Sequence, residues 1–185
     1  MKHRMSFFRN IEEEQEEQWI FETKTKASNY VIYSDLDGVI CDFDGRFEHF
    51  TGISAKTYRE MHGTMKFWNL IDNEIGAKYW AEMEWMKRGR ELWSFISPYK
   101  PILLTTPSRN GVSRIGKRQW VEENIQPSPK LLFSFHKEEY AKPNAILIDD
   151  RASNLEAWEK AGGIAIECKY DNIEPVIKRL KELGF

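Results

Sequence analysis

Cysteine is scarce: Cys41 and Cys168 are the only two in 185 residues. Two are too few for a disulfide framework and form no CxxC metal pair, so a reducing cytoplasm is the simplest setting. Long apolar runs are missing too, and nothing approaches the roughly 20 residues a membrane-spanning helix needs. Met1 to Asn10 carries positive charge but runs into Glu12-Glu13-Glu14-Gln15-Glu16-Glu17 without an apolar centre, which argues against a signal peptide. Neither charge sign dominates: 27 Lys and Arg stand against 29 Asp and Glu, a net charge of -2. Bulk attraction to nucleic acid or to an anionic membrane is therefore not expected, which leaves only local basic patches. No GxGxxG or GxxxxGK[ST] occurs, so a glycine-rich phosphate loop is unsupported. Repeats and low-complexity segments are absent as well.

What is present is organised around Tyr30-Val31-Ile32-Tyr33-Ser34-Asp35-Leu36-Asp37-Gly38-Val39. An apolar, β-branched run of strand length stops at two acids one residue apart, and the glycine after them can supply the positive φ of a tight turn. In an open parallel α/β sheet, ligands bind outside the carboxyl ends of the strands, so acids delivered there are well sited for chemistry. Acids this close repel unless a cation lies between them. A calcium loop fits badly, because aligning Asp42, Asp44 and Gly45 on an EF-hand puts Ile40 at its first position and Thr51 at its twelfth.

The rest of the chain alternates. Residues 8 to 22 read as an acidic helix with Phe8, Ile11, Trp19 and Ile20 on one side, and Lys24 to Asn29 as a polar connector. From Phe43 to Ile96 no strand is evident and apolar residues recur at helical spacing. Ser54 caps a helix ending at Gly63, and further helices are expected over Tyr79 to Met86 and Arg90 to Ile96. Strands follow at 101–106, 131–135, 145–148 and 164–166. They are separated by helices over Gly111 to Ile125, a short one reaching Ala141, and 152–161, with a last helix from about Ile173 to Leu183. The expected fold is α/β, a Rossmann-like doubly wound parallel sheet formed by residues 29–44 and 97–185, with a helical insertion over 45–96 and an N-terminal helix and connector over 1–28.

Several strand ends carry acids or hydroxyls: Asp35 and Asp37, Thr105 and Thr106, and Asp149 and Asp150. A lysine, Lys137 or Lys142, accompanies another. Lys137 is favoured because it opens a helix whose N-terminus also attracts anions. Phosphoryl transfer needs a nucleophile, a proton donor for the leaving group and positive charge on the moving oxygens, and this inventory supplies them. Asp35-Leu36-Asp37-Gly38-Val39 resembles the first motif, hhhhDxDG(V/T), of the haloacid dehalogenase-like (HAD) phosphohydrolases. Thr105, the lysine and Asp149-Asp150 follow in the order of the remaining motifs.

That resemblance implies a HAD core with a C1 cap. It implies Asp35 as a nucleophile forming an aspartyl-phosphate, and Asp37 as the acid that protonates the leaving oxygen and later activates water. Thr105, the Thr106 main chain and the lysine would hold phosphate. Mg²⁺ would sit on Asp35, the Asp37 carbonyl and Asp150, with Asp149 nearby or bound through water. Within the superfamily, Asp37-Gly38-Val39-Ile40-Cys41-Asp42-Phe43, Lys66-Phe67-Trp68, Leu104-Thr105-Thr106-Pro107 and Leu147-Ile148-Asp149-Asp150 resemble the 5′(3′)-deoxyribonucleotidases. The implied substrate is a nucleoside monophosphate, its base read by Phe43, Phe67, Trp68 and Trp80 or Trp85. Two alternatives stand beside it. One is a phosphatase for nucleic acid ends, using Arg109, Arg114, Lys117 and Arg118 as a backbone-contacting face; the other is a catalytically silent binding module with the aromatic cap as its surface.

Overall fold

The computed structural model describes residues 29–169 and 172–185, so the helix expected over 8–22 lies outside the described residues. In chain order the strands are β1 (Val31–Ser34), β2 (Cys41–Asp42), β3 (Glu84–Trp85), β4 (Ile102–Thr105), β5 (Leu131–Phe133), β6 (Ala145–Asp149) and β7 (Ile164–Glu167). Five of them form one sheet in the order β5-β4-β1-β6-β7, and every neighbouring pair is parallel. The chain winds outward from β1 through β4 to β5, then returns to the other side of β1 for β6 and β7. The carboxyl end of β1 therefore lies at the topological switch point, where such sheets open a crevice.

Helices cover both faces, and the side-chain alternation of the strands shows which residues each face owns. Ile32, Leu103, Ile146, Ile148 and Ile166 belong to one cluster, which includes Trp120 and Val121 of α5 (Val112–Asn124) and Val176 and Leu180 of α7 (Glu174–Glu182). Leu104, Ala145 and Leu147 point the other way and pack on Leu155 and Trp158 of α6 (Ala152–Lys160). All five residues of β6 are buried, as expected of a central strand with both faces covered. The fold is thus the doubly wound α/β sheet that the strand-helix alternation predicts.

Between β1 and β4 lie α1 (Phe43–Thr51), α2 (Ala55–Asn69), a wider π-type turn over Leu70–Ile75, α3 (Ala77–Ala81) and α4 (Gly89–Ile96). Asp42 and Ser54 cap α1 and α2 through bonds to the amides of Gly45 and Thr57. The stretch is not strand-free, and the helix expected over Tyr79 to Met86 is corrected. It stops at Ala81, and Glu84–Trp85 pairs antiparallel with Cys41–Asp42. Pairing explains why: buried Met83 and Met86, three residues apart, would suit one helical face, but the Met86 amide bonds the Ile40 carbonyl at 2.8 Å and draws the segment into the ribbon with β2. Within α2 the chain breaks at Gly63 (φ 82°), the end expected from the sequence, and then resumes helical geometry. None of the helices among the described residues is long and apolar enough to cross a membrane.

The insertion is fixed to the core along α3. A Cβ on Gly116 of α5 would lie 2.1 Å from the Ala77 carbonyl and 2.6 Å from the Trp80 Cβ, so only glycine permits this approach. One turn further on, Trp120 Nε1 donates to the Met83 carbonyl at 2.7 Å. Gly116→Ala is predicted to destabilise the protein by about 1–3 kcal/mol, the usual cost of overpacking, despite alanine's better helix propensity. Urea unfolding checks this, and an unchanged or raised midpoint would contradict it.

Candidate active site

The three central strands β4, β1 and β6 end side by side. Thr105 closes β4, Asp35 follows β1 directly, and Asp149 closes β6. Pairing carries past the last residue of β1, because the Asp35 amide donates to the Ile148 carbonyl at 2.8 Å. The chain then turns tightly, with the amides of Ile40 and Cys41 both on the Leu36 carbonyl. Gly38 in this turn has φ 77°, and a Cβ there would stand 2.6 Å from Asp150 Oδ2. The backbone conformation is what calls for glycine, and the space it leaves is taken by the Asp150 carboxylate.

Burial makes the charges here expensive unless they are paired. Lys137 is 2% exposed and its Nζ bridges Asp35 Oδ1 at 2.9 Å and Asp149 Oδ2 at 2.6 Å. Asp35 Oδ1 also accepts from the Leu36 amide at 2.8 Å. Asp149 accepts from the Arg151 amide and from Asn154 Nδ2 as well. Burial opposes ionisation of Asp35, but Lys137 and Lys117 outweigh it and hold its pKa below the ordinary value. Burial lowers the pKa of Lys137, yet Asp35 and Asp149 more than restore it. Of the two candidate lysines, Lys137 is the one at the carboxylates; Lys142 is exposed.

Asp35, Asp149 and Asp150 offer oxygens that all lie within 4.8 Å of one another. Asp150, the exposed member of this group, is pushed up to about 7, first by desolvation of its carboxyl against its neighbours and then by the charges of Asp35 and Asp149. A carboxylate so strained by its neighbours fits a cation, and an all-oxygen donor set suits Mg²⁺ rather than zinc. The side chain of Asp37 is not part of this group. Its Oδ2 accepts from Lys117 Nζ at 2.7 Å, while its Oδ1 is buried without a hydrogen-bond partner among the described residues. Burial, more than the lysine offsets, lifts the Asp37 pKa.

Lys117 corrects the sequence reading. Placed there on a basic helix face, it is 0% exposed and lies on the buried stripe of α5 formed by Ser113, Gly116, Lys117, Trp120 and Val121. The signal was in the spacing, since 113, 116, 117, 120 and 121 make one helical face. The remaining basic residues do not form a single surface: Arg114 and Arg118 lie over the Phe133 ring, and Arg109 lines the cavity.

That cavity, of about 740 Å³, opens over Asp35 and Asp37 and takes Phe43, Trp68, Trp80 and Thr106 into its wall. Thr105 stands behind it, bonded to Lys117 at 2.9 Å. Two of the expected base-reading aromatics are elsewhere. Phe67 is 1% exposed in the centre of the insertion, 4.7 Å from the Phe47 ring. Trp85 packs on Trp120 at 5.0 Å with Arg90 over it, held there by the short β2–β3 ribbon. Asp72, Arg151 and Asn154, which the sequence did not single out, line the cavity instead.

No protein-family model and no curated protein matches the chain. Among solved structures, it is similar to a hydrolase from Streptococcus pneumoniae TIGR4, with 17% identity, a TM-score of 0.46, and 81% of this chain and 99% of that one covered. It is also similar to a HAD family enzyme from Bacteroides thetaiotaomicron in a magnesium complex, with 14% identity, a TM-score of 0.49, and coverage of 81% and 98%.

The raised pKa of Asp150 sets a pH dependence. The carboxyl is harder to ionise folded than unfolded, so its contribution disfavours the fold progressively as pH rises from about 4 to about 7 and is constant above that. A divalent cation competes with the same proton. Added Mg²⁺ is therefore expected to raise Tm by several degrees at pH 8 and hardly at pH 5, and Asp150→Asn to remove most of the shift. Thermal melts with and without Mg²⁺ check this; equal shifts at both pH values would contradict it.

Proposed function

We propose that this chain is a Mg²⁺-dependent phosphomonoesterase of the HAD superfamily that dephosphorylates nucleoside monophosphates. The observation that carries the reading is the pairing of two differently treated acids at one strand end. Asp35 is held ionised by Lys137, and Asp37, two residues on, has a raised pKa. Environments that push neighbouring carboxyls apart in this way suit one to nucleophilic attack and the other to proton transfer. Both face the same cavity.

Asp35 Oδ1 is engaged by Lys137 and the Leu36 amide, while no hydrogen bond engages Oδ2 among the described residues. In the first half-reaction an Asp35 oxygen forms a bond to phosphorus as the ester P–O bond breaks, and the leaving oxygen takes the proton held on Asp37. In the second, Asp37 accepts a proton from water as that water attacks phosphorus, which releases phosphate and regenerates Asp35. Lys137 and the Thr106 backbone stabilise the phosphoryl oxygens. Asp35, Asp150, the Asp37 carbonyl and, directly or through water, Asp149 would hold Mg²⁺, which supplies charge neutralisation between nucleophile and phosphate. The nucleotide preference rests on the aromatic wall of Phe43, Trp68 and Trp80. Stacking on such rings contributes about 1–3 kcal/mol per base.

Phosphate release from a panel of phosphomonoesters, with and without Mg²⁺, tests the reading. Nucleoside monophosphates are expected to exceed sugar phosphates by roughly ten-fold to a hundred-fold in kcat/KM, the ratio that stacking energy implies. Activity independent of Mg²⁺, or sugar phosphates turned over as well, would contradict it. Trp68→Ala should erase that preference while leaving a small aryl phosphate nearly unaffected; equal losses on both would make Trp68 a structural residue. Asp35→Asn should retain less than about a thousandth of the wild-type rate, since the amide cannot act as a nucleophile.

A further inference from the structure

Lys117 spends all three of its donors inside the protein. Its Nζ bonds Asp37 Oδ2 at 2.7 Å, Thr105 Oγ1 at 2.9 Å and the Thr106 carbonyl at 2.8 Å. It also stands 4.7 Å over the ring of Trp80, a residue of the inserted segment. It is fully buried and, unlike Asp35, Asp37, Trp80 and Thr106, is not among the residues lining the cavity. With all three donors spent it has none left for phosphate or leaving group, whereas Lys137, which also stands behind the cavity lining, keeps one beyond those on Asp35 and Asp149. What Lys117 does fix is Asp37: with Oδ2 tied to the ammonium, Oδ1 is the oxygen left without a partner among the described residues.

From this arrangement we infer that Lys117 is a positioning residue for leaving-group protonation. It pins Asp37 so that Oδ1 carries the proton toward the departing oxygen. The Trp80 ring over which it stands belongs to α3, and α3 is seated on α5 at Gly116, so the docked insertion and the orientation of Asp37 are one structural unit. This rests on the phosphatase reading above and adds a residue-level requirement to it: the need for Lys117 scales with how badly the leaving group needs a proton. An alkoxide, such as the one released from a nucleoside 5′-monophosphate, depends on it strongly. A nitrophenolate leaves almost without help.

The experiment measures the pre-steady-state burst of leaving-group release at saturating substrate, so that later hydrolysis of the phospho-enzyme does not enter. Two substrates are used, a nucleoside 5′-monophosphate and p-nitrophenyl phosphate. Lys117→Met is expected to slow the nucleotide about 100-fold, the lower end of what general acid catalysis supplies, and p-nitrophenyl phosphate less than about five-fold, with KM for both nearly unchanged. On an Asp37→Asn background the same substitution should add nothing, because the two residues act as a unit. If Lys117→Met does not fold, Lys117→Gln, which keeps an amide donor, should show the same selectivity with a nucleotide loss of about ten-fold. Equal losses on the two substrates, or a loss that multiplies with that of Asp37→Asn, would overturn the inference and leave the phosphatase reading standing. A wild-type protein that releases neither leaving group would overturn that reading, and this inference with it.

Discussion

Four carboxylates and two lysines share the carboxyl end of β1, most of them out of water. Asp35, Asp149, Lys117 and Lys137 are each at most 5% exposed, and each buried ammonium is placed on a carboxylate at 2.9 Å or less. Charges in such a place are tolerated only as a mutually satisfied set, because removing one partner leaves the other desolvated and unpaired. Much of the surrounding structure serves this set. The parallel register brings β1, β4 and β6 to an end together, the turn at Gly38 makes room for Asp150, and the buried face of α5 delivers Lys117.

The set is unbalanced, and the imbalance is local. Lys137 serves Asp35 and Asp149, and Lys117 serves Asp37, which among the described residues leaves Asp150 without a buried cation of its own and with its pKa pushed up to about 7. A divalent ion among Asp35, Asp149 and Asp150 would complete the charge and prepare Asp35 for an anionic substrate. The aromatic wall of the cavity completes the picture on the organic side. It belongs to an insertion whose own aromatic core, around Phe47 and Phe67, keeps Phe43 and Trp68 in place.

Much of this was legible in the residues themselves. The apolar runs ending in Asp35, Thr105 and Asp149 gave the sheet and its functional edge, because each is too short for a helix and is bounded by turn residues, which is what separates a buried strand from a buried helix. Within the insertion, Tyr79 to Met86 misled because a helical turn and a two-residue strand share one apolar stretch, and the strand exists only by pairing with distant Cys41–Asp42. Phe67 and Trp85 were indistinguishable by composition from Phe43 and Trp68; the contacts that separate them are tertiary. Lys117 reads as part of a backbone-contacting basic face because of its neighbours in sequence, Arg114 and Arg118, although its helical neighbours Ser113, Gly116 and Trp120 are all buried. A lysine on an otherwise buried helical stripe is a signal worth weighing against the charge run that contains it.

The central claim is that Asp35 becomes covalently phosphorylated. Enzyme mixed with a nucleoside monophosphate and Mg²⁺, acid-quenched during turnover and reduced with borohydride, should yield homoserine in place of aspartate at position 35, read by tandem mass spectrometry of the peptide spanning Tyr33 to Val39. Conversion confined to Asp35, and absent without substrate, is the predicted result. Active turnover with position 35 unmodified, or with the reduced residue at Asp37 or Asp149 instead, would contradict it.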